Sequence, residues 1–286
     1  MAAMPVRELD VRQVAAAVKA MCITANYDLP ADVYDALVTA RETEESPVGR
    51  EVLGQLIENA DIAAADRVPI CQDTGFAVVF AEVGQDVHLS GGDFEAAVNE
   101  GVRQGYGDGY LRKSVAEEPG HARRNTKDNT PAILHTSIVP GDRVRLTLMA
   151  KGGGAENMSS LNMLKPSQGW AGMVDAVVET VSRAGSNPCP PVIIGVGIGG
   201  TIDEVTLLAK KALLRDVGST HREPRIAAME DELFEKINAL GIGPQGLGGS
   251  TTALDVFIEE MPSHIASMPL AVNVQCHAQR HKTVEL

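Results

Sequence analysis

The amino-terminal quarter of the chain carries apolar residues at intervals of three and four, the spacing of one face of an α-helix. The clearest run consists of Val11, Val14, Val18, Met21 and Cys22. Two further helices are predicted, one from about Pro30 through Leu37 and one over residues 48–64. Residues 7–65 are therefore expected to be helical. Because Cys22 falls on the apolar face of the first helix, we assign it to core packing.

The middle of the chain alternates between turn and strand patterns. A loop is predicted over residues 68–75 and a buried strand over residues 77–83. Asp93 is a suitable N-cap for the helix that follows it. Residues 132–138 and 143–150 alternate between apolar and polar side chains. The turn sequence Pro-Gly-Asp between them predicts that these two strands form an antiparallel pair.

Helix and strand patterns continue to the carboxyl terminus. The predicted helices cover residues 170–184, 203–214 and 226–240, and the predicted strands cover residues 192–198, 252–259 and 270–274. We therefore predict the α/β class in a mixed α+β arrangement, with a helical amino-terminal part and mixed, largely antiparallel sheets whose glycine-rich loops surround a functional site. One domain is predicted over residues 1–286, with its helical part over about 1–67 and its site over about 68–286.

The charge balance excludes some classes of function. The chain has 38 acidic and 25 basic residues, a formal net charge of −13. This argues against a protein that binds nucleic acid or an anionic membrane, because both need basic surface. An anionic substrate would have to be held by local cations. No apolar run reaches the ~20 residues that span a bilayer, and residues 1–11 lack the zones of a signal peptide, so we expect a cytoplasmic protein.

Three of the four cysteines, Cys71, Cys189 and Cys276, lie at predicted strand ends or in stiff loops. Pro190 is expected to restrict Cys189 to extended backbone. No C-x-x-C spacing is present, unlike in zinc ribbons and ferredoxins. If the three thiolates converge, they can hold a [4Fe–4S] cluster and leave one iron open as a Lewis acid for a substrate hydroxyl and carboxylate. The alternative is three unrelated core or loop cysteines.

A glycine motif supports a hypothesis of a different class, a nucleotide-binding protein. Residues 195–200 match G-x-G-x-x-G between a predicted strand and a predicted helix. A dinucleotide site also needs a second strand that ends in an acidic residue about 20 positions later, but residues 215–221 are polar and predict no strand. Close strand–helix packing is the competing explanation. A third is that these backbone N–H groups face a carboxylate or cluster sulfurs.

Three further features are candidates for anion binding or proton transfer, and each has a plainer alternative. Residues 151–154, Lys-Gly-Gly-Gly, either present consecutive N–H groups as an anion nest or form an ordinary loop. Arg112 is either a two-pronged carboxylate clamp or an exposed surface arginine. His264 is an acid, a base or an orienting group, or else a satisfied polar residue.

In order along the chain, these segments resemble the alpha, or amino-terminal, part of class I iron–sulfur fumarases and L-tartrate dehydratases. The resemblance covers about residues 68–280. It rests on six motifs: Pro-Ile-Cys-Gln-Asp-Thr-Gly at 69–75, Leu-Arg-Lys-Ser at 111–114, Ala-Lys-Gly-Gly-Gly at 150–154, Cys-Pro-Pro at 189–191 with Gly-Ile-Gly-Gly-Thr at 197–201, Gly-Pro-Gln-Gly-Leu-Gly-Gly at 243–249, and Met-Pro-Ser-His at 261–264.

The resemblance implies the following site. A [4Fe–4S] cluster is bound by Cys71, Cys189 and Cys276. The substrate site is lined by Gln72, Asp73, Arg112 and Gly154. Asp73 and His264 form a charged catalytic pair near the reacting carbon. The implied reaction is reversible addition of water to a double bond beside carboxylates, with fumarate and L-malate as the first choice and L-tartrate as the alternative.

The resemblance also implies a partner. The family's full enzymes include a second domain that supplies further arginines, a lysine and a threonine proposed as base, and we expect that domain to lie outside this chain. We therefore expect a separate beta subunit, an active site at the interface and a small dicarboxylate substrate, in a heterotetramer or a larger dimer-based assembly. For this reason, a base role for Asp73 or His264 stays open. A non-catalytic assembly subunit is the remaining alternative.

Overall fold

The computed structural model describes residues 6–286 of the 286-residue chain, so residues 1–5 of the amino-terminal segment considered above lie outside the described part. Chain contacts define two compact units, which are described separately. The first unit contains the residues up to Leu29, Ala60–Gly152 and Arg280–Leu286, and the second contains Pro30–Asn59 and Gly153–Gln279. Within residues 6–286, no helix combines the length and the apolar character that crossing a membrane requires.

The described residues form both helices and strands. The α-helices are α1 Val11–Tyr27, α2 Ala31–Thr43, α3 Pro47–Asp66, α4 Phe94–Asp108, α5 Gly153–Glu156, α6 Gly169–Ala184, α7 Ile202–Ala212 and α8 Pro224–Asn238. The strands are β1 Arg7–Asp10, β2 Phe76–Gly84, β3 Val87–Ser90, β4 Ile133–Val139, β5 Val144–Lys151, β6 Ser160–Leu164, β7 Val192–Gly199, β8 Ala253–Met261, β9 Met268–Gln275 and β10 His281–Glu285. The predicted mixed α/β class is confirmed.

The first unit is built on a four-stranded sheet in the order β10-β5-β2-β4. Its strand β2 pairs with β4 in parallel and with β5 in antiparallel orientation. The predicted antiparallel pair of residues 132–138 with 143–150 is therefore wrong, since β2 lies between these strands. The reason is burial: β2 is a nearly continuous apolar run, buried on both faces from Ala77 to Ala81, and an interior position in the sheet covers it fully.

Helices α1 and α4 pack together in the core of the first unit. Asp93 caps α4 by accepting a hydrogen bond from the Ala96 N–H at 2.7 Å, as predicted. A side chain at Gly105 would place its Cβ 2.7 Å from the Cys22 Cβ, so this glycine permits close contact between the two helices. Cys22 is fully buried, and burial raises the pKa of its thiol to about 12. The assignment of Cys22 to core packing is confirmed.

Two boundary predictions near the amino terminus are wrong. Residues 7–10 form β1, which pairs in parallel with β3, and are not helical. Helix formation begins only after Asp10, whose carboxylate accepts a hydrogen bond from the Arg12 N–H at 2.8 Å and caps α1. In the second unit, the helix predicted to run through Leu37 continues to Thr43, because Leu37 and Ala40 bury the same face.

The second unit is built on a four-stranded sheet in the order β6-β9-β7-β8. Strand β7 pairs with β8 in parallel and with β9 in antiparallel orientation. Helix α7 lies very close to β7. An added Cβ at Gly195 would be 2.2 Å from the Ala209 carbonyl oxygen, and one at Gly197 would be 2.3 Å from the Val205 carbonyl oxygen. These two glycines therefore permit close strand–helix packing.

A buried carboxylate ties the α2–α3 turn to the loop before β8. Glu44 is 1% exposed and accepts hydrogen bonds from the N–H groups of Ser46 at 2.9 Å, Ser250 at 2.8 Å and Thr251 at 2.8 Å. Burial alone would raise the pKa of Glu44. The bonds from Ser46, Ser250 and Thr251 to the ionised form outweigh burial and lower the pKa to about 2.

Glu44→Gln is expected to lower the free energy of unfolding by about 2–4 kcal/mol near neutral pH, because an amide cannot accept all of these N–H groups. A lowered pKa means that ionised Glu44 stabilises the fold above the ordinary carboxyl pKa of 4.5, and that this contribution is lost as the pH falls toward about 2. Urea unfolding at several pH values should therefore show wild type and variant converging on acidification. Glu45→Gln, at an exposed neighbour, is the control. A gap between Glu44→Gln and wild type that stays constant with pH would contradict this role.

Candidate active site

The first unit carries Cys71 in the loop between α3 and β2. Its sulfur is half-buried and accepts a hydrogen bond from the Asp73 N–H at 3.4 Å. Gln72 Oε1 lies 3.5 Å from the same sulfur, and Asp73 Oδ1 accepts the Gly75 N–H at 3.0 Å. The sulfur thus has one backbone donor and one amide oxygen beside it within the turn. Three predicted site residues thus share one turn.

Three side chains hold this loop in place. The Tyr106 hydroxyl lies 2.8 Å from the Thr74 carbonyl oxygen and 2.9 Å from that of Gly75, and Asn129 Nδ2 donates to the Gly75 oxygen at 3.1 Å. Burial raises the pKa of Tyr106, so its hydroxyl stays a neutral donor. Thr74 Oγ1 donates to the Arg112 carbonyl oxygen at 2.9 Å. The backbone of Arg112 is therefore fixed beside the loop, while its side chain is exposed.

A buried arginine that sequence reasoning missed supports the same loop. Arg280 is 1% exposed, and its Nη1 donates to the Asp73 carbonyl oxygen at 2.8 Å and to Asn26 Oδ1 at 2.9 Å. A Cβ at Gly152 would lie 3.4 Å from Asp73 Oδ2 and 3.7 Å from Arg280 Nη2. The glycine keeps the space next to the Asp73 carboxylate open. No local pattern in the sequence indicates these contacts, because the partners of Arg280 lie 207 and 254 positions away.

The second unit carries Cys189 and Cys276 in two adjacent segments. Cys276 follows β9 and is half-buried, whereas Cys189 is exposed in the turn before β7. The next residue, His277, joins the two segments: its Nδ1 lies 2.9 Å from the Cys189 carbonyl oxygen, and its N–H is 3.5 Å from the same oxygen. The structure thus brings the segments of these two cysteines together. The convergence of all three cysteines stays a prediction.

The extended backbone predicted for Cys189 is wrong. Its φ is +57°, in the left-handed region. The reason is a turn: the Cys189 N–H donates to the Ser186 carbonyl oxygen at 3.1 Å, and this chain reversal sets the backbone in spite of the proline that follows. In this turn the side chain of Cys189 is exposed.

The loop between β8 and β9 contains His264, whose side chain is exposed. Its Nδ1 accepts a hydrogen bond from the Ala266 N–H at 3.1 Å, so in the neutral ring Nε2 carries the proton. The loop borders a cavity of about 620 Å³ that is also lined by Met163, Ile202 and Met261. Nε2 is therefore the ring nitrogen that can donate a hydrogen bond. The predicted pair of His264 with Asp73 stays a prediction.

Gly154 lies in the short helix α5. A Cβ at this position would meet the Asn187 carbonyl oxygen at 3.5 Å, an ordinary contact distance. Packing in the second unit therefore does not explain why this residue is glycine. Its contact with substrate, implied by the motif in which it lies, stays a prediction.

The geometry of residues 195–200 favours strand–helix packing over nucleotide binding. In a dinucleotide site, the glycines form the turn after the strand and cradle the pyrophosphate. Here β7 continues through Gly199, with Gly195 and Gly197 inside the strand against α7. The next strand in the described chain is β8, which follows α8. The described chain therefore has no strand about 20 positions after the glycine motif that could end in the acidic residue required to bind a ribose.

The family of the chain follows from comparison with known proteins. A family model described as Fumarate hydratase (Fumerase) matches residues 15–285. The chain belongs to the Fumerase family. A Methanocaldococcus jannaschii protein with the provisional name L(+)-tartrate dehydratase subunit alpha is 44% identical over 256 residues, which are 88% of this chain and 90% of that protein. The L(+)-tartrate dehydratase alpha subunits of Escherichia coli and Shigella boydii are 33% identical over 258 residues, 90% of this chain and 85% of each relative. These findings support a hydro-lyase alpha subunit.

The exposure of three cysteines of this Fumerase-family chain fits ligation of a cluster. Cys71, Cys189 and Cys276 are all at least partly exposed, and Cys71 receives an N–H donor, whereas the buried thiol of Cys22 has a raised pKa. Among residues 6–286, no group of three or more His, Cys, Asp or Glu side chains is arranged to hold a single metal ion. A cluster places a different demand on its ligands, because each cysteine binds a different iron.

Proposed function

We propose that the chain is the alpha subunit of a [4Fe–4S]-dependent L(+)-tartrate dehydratase. The observation that carries this proposal is the relative of that name, which is 44% identical over 88% of the chain, together with the alpha subunits that are 33% identical over 90% of it. The sequence motifs ranked fumarate first and L-tartrate second. The names of the relatives favour L-tartrate. Fumarate is kept as the second candidate, because the family model is described as fumarate hydratase.

In the proposed enzyme, Cys71, Cys189 and Cys276 would hold the cluster, which when bound supplies a Lewis acid for the departing hydroxyl group. Arg112 would pair with a substrate carboxylate, and its exposed side chain and its backbone contact with Thr74 support this role. Removal of the proton next to that carboxylate builds negative charge on it, and a positioned guanidinium stabilises this charge where it develops.

The remaining predicted residues have roles that their contacts support. Asp73 has one carboxylate oxygen held by the Gly75 N–H and the other beside the open space at Gly152. Its carboxylate is thus kept in one orientation for a proton or a substrate hydroxyl. Gln72, on the same turn, offers an amide for hydrogen bonding to substrate. The neutral ring of His264 carries its proton on Nε2 and would donate a hydrogen bond from this nitrogen to an anion.

We further propose that a beta subunit completes the active site. The relatives are named as alpha subunits, and the family resemblance implies that the partner contributes further cations and the catalytic base. With a net charge of −13, the chain relies on local cations to bind a dianionic substrate. A heterotetramer or a larger dimer-based assembly in the cytoplasm is the expected form.

The substrate is tested by turnover. The chain is produced anaerobically with its beta subunit, its iron and sulfide are reconstituted, and initial rates are measured with L-tartrate, L-malate and fumarate. We expect kcat/KM for L-tartrate to exceed that for L-malate by at least about 100-fold, because a site built to bind the additional hydroxyl is left with unpaired polar groups by the smaller substrate. The opposite preference would favour fumarate hydratase. No turnover of any of these by a cluster-loaded complex would contradict both candidates.

A further inference from the structure

The glycine-rich loop of residues 243–252 contacts both cysteine segments of the second unit. Gln245 makes these contacts: its backbone N–H donates to the Pro190 carbonyl oxygen at 2.7 Å, and its side-chain Nε2 donates to the same oxygen at 2.8 Å. The same Nε2 lies 3.2 Å from Nδ1 of His277. One side chain thus reaches the residue after Cys189 and the residue after Cys276.

The His277 ring completes the connection between the segments. Its Nδ1 lies between Gln245 Nε2 at 3.2 Å and the Cys189 carbonyl oxygen at 2.9 Å. With a proton on Nδ1, the ring donates to Cys189, and without it the ring accepts from Gln245. Each tautomer makes one of these two bonds, and in both of them Gln245 Nε2 remains bonded to the Pro190 carbonyl oxygen.

The backbone of Gln245 is held in a conformation that a side chain disfavours. Its φ of +52° and ψ of 18° lie in the left-handed region, which residues with a Cβ adopt only at a cost in free energy. Gly243 and Gly246 lie two residues before and one residue after Gln245. At Gly246 a Cβ would lie 2.3 Å from the Ser186 Cβ. A glycine at 245 would relieve the strain but would lose both side-chain contacts. A strained residue held by such contacts points to a function for the side chain.

The other end of the loop is fixed, which gives the Gln245 contacts a rigid base. Glu44 accepts the N–H groups of Ser250 and Thr251 at 2.8 Å each. Asn238 Oδ1 accepts the Thr252 N–H at 2.7 Å. The loop is therefore anchored to the α2–α3 turn and to α8 at one end and reaches the cysteine segments at the other.

We propose that Gln245 is a positioning residue that holds the Cys189 and Cys276 segments in the arrangement that binds the cluster. This inference rests on the proposed function in so far as it concerns a cluster. It predicts that loss of the Gln245 side chain loosens both segments locally, weakens retention of iron and alters the electronic environment of the cluster.

The first test uses the complete chain without metal. Hydrogen exchange is compared between wild type, Gln245→Met, which keeps the side-chain length without the donor, and Gln245→Gly, which also relieves the backbone strain. Leu247→Ala, at a position of the same loop that is 61% exposed, is the matched control. We expect the N–H groups of Cys189 and His277 to exchange about tenfold faster in both Gln245 variants, because loss of the side-chain hydrogen bonds makes local opening easier.

The second test uses the reconstituted protein under anaerobic conditions. We expect the Gln245 variants to release iron to a chelator several-fold faster than Leu247→Ala, and to show a shifted electron paramagnetic resonance spectrum after one-electron reduction of the cluster by dithionite. Exchange and iron release equal to those of Leu247→Ala would overturn the proposal, as would a uniform rise in exchange over the whole second unit. A wild-type chain that binds no iron would refute the proposed function instead, and the exchange experiment would still decide whether Gln245 holds the two segments.

Discussion

Replacing Cys71, Cys189 or Cys276 by serine is expected to remove the iron–sulfur absorbance of the reconstituted chain. Each of these cysteines would supply the only protein ligand to one iron, and a serine hydroxyl is not ionised at neutral pH as a thiolate is. The wild type should bind about four irons per chain. The three variants should fall well below this value, and their hydro-lyase activity should drop to background.

Cys22→Ser is the matched control for this series. Its thiol is fully buried, and burial raises its pKa to about 12, so the side chain stays a neutral core group. We expect the variant to keep the absorbance and iron content of the wild type while losing some stability, because a hydroxyl is buried beside Gly105. Loss of the cluster in Cys22→Ser together with its retention in Cys189→Ser would contradict the ligand assignment.

Arg280→Met is expected to lower the free energy of unfolding by about 2–4 kcal/mol. The change leaves the Asp73 carbonyl oxygen and Asn26 Oδ1 without the donor that each has now. It also removes the buried Nε–H, which has no hydrogen-bond partner among the described residues, and for this reason the expected loss is moderate. Because Arg280 bonds to Asp73 directly, the Cys71 loop should also become more mobile.

Urea unfolding and hydrogen exchange measure these two effects. Arg145→Met, at an exposed position of β5, is the control, and it should change the unfolding free energy by less than about 0.5 kcal/mol. Arg280→Met should show faster exchange at residues 71–75 and a lower iron content after reconstitution. If it matched Arg145→Met in stability and in exchange, the supporting role of Arg280 would be wrong.

Local patterns predicted the helices and the buried strands well, because each is long and strongly periodic. The helix predicted over residues 48–64 is observed as Pro47–Asp66, and the strand predicted over residues 77–83 as Phe76–Gly84. Short strands were missed. β10, for example, has five residues and pairs with β5 more than 130 positions earlier. Pairing over such a separation leaves no periodic signal in the sequence, and the position of β2 between β4 and β5 was missed for the same reason.

Site residues that lie together in one short segment were predicted from the sequence. Residues that support this segment through contacts distant in sequence were missed. The turn of Cys71, Gln72 and Asp73 is local, so its sequence motif identified all three. Arg280 contacts residues that lie 207 and 254 positions away in sequence. An isolated arginine near the carboxyl terminus carries no pattern that reveals such contacts.

The central claim is that three cysteines of this chain hold a cluster with one iron open to a dicarboxylate. Mössbauer spectroscopy of the ⁵⁷Fe-reconstituted chain with its beta subunit, recorded with and without L-tartrate, tests it most directly. We expect about four irons per alpha chain, one of which changes its spectrum when the substrate is added while the others stay the same. A protein that binds no cluster, or a cluster whose irons all remain unchanged at saturating substrate, would contradict the claim.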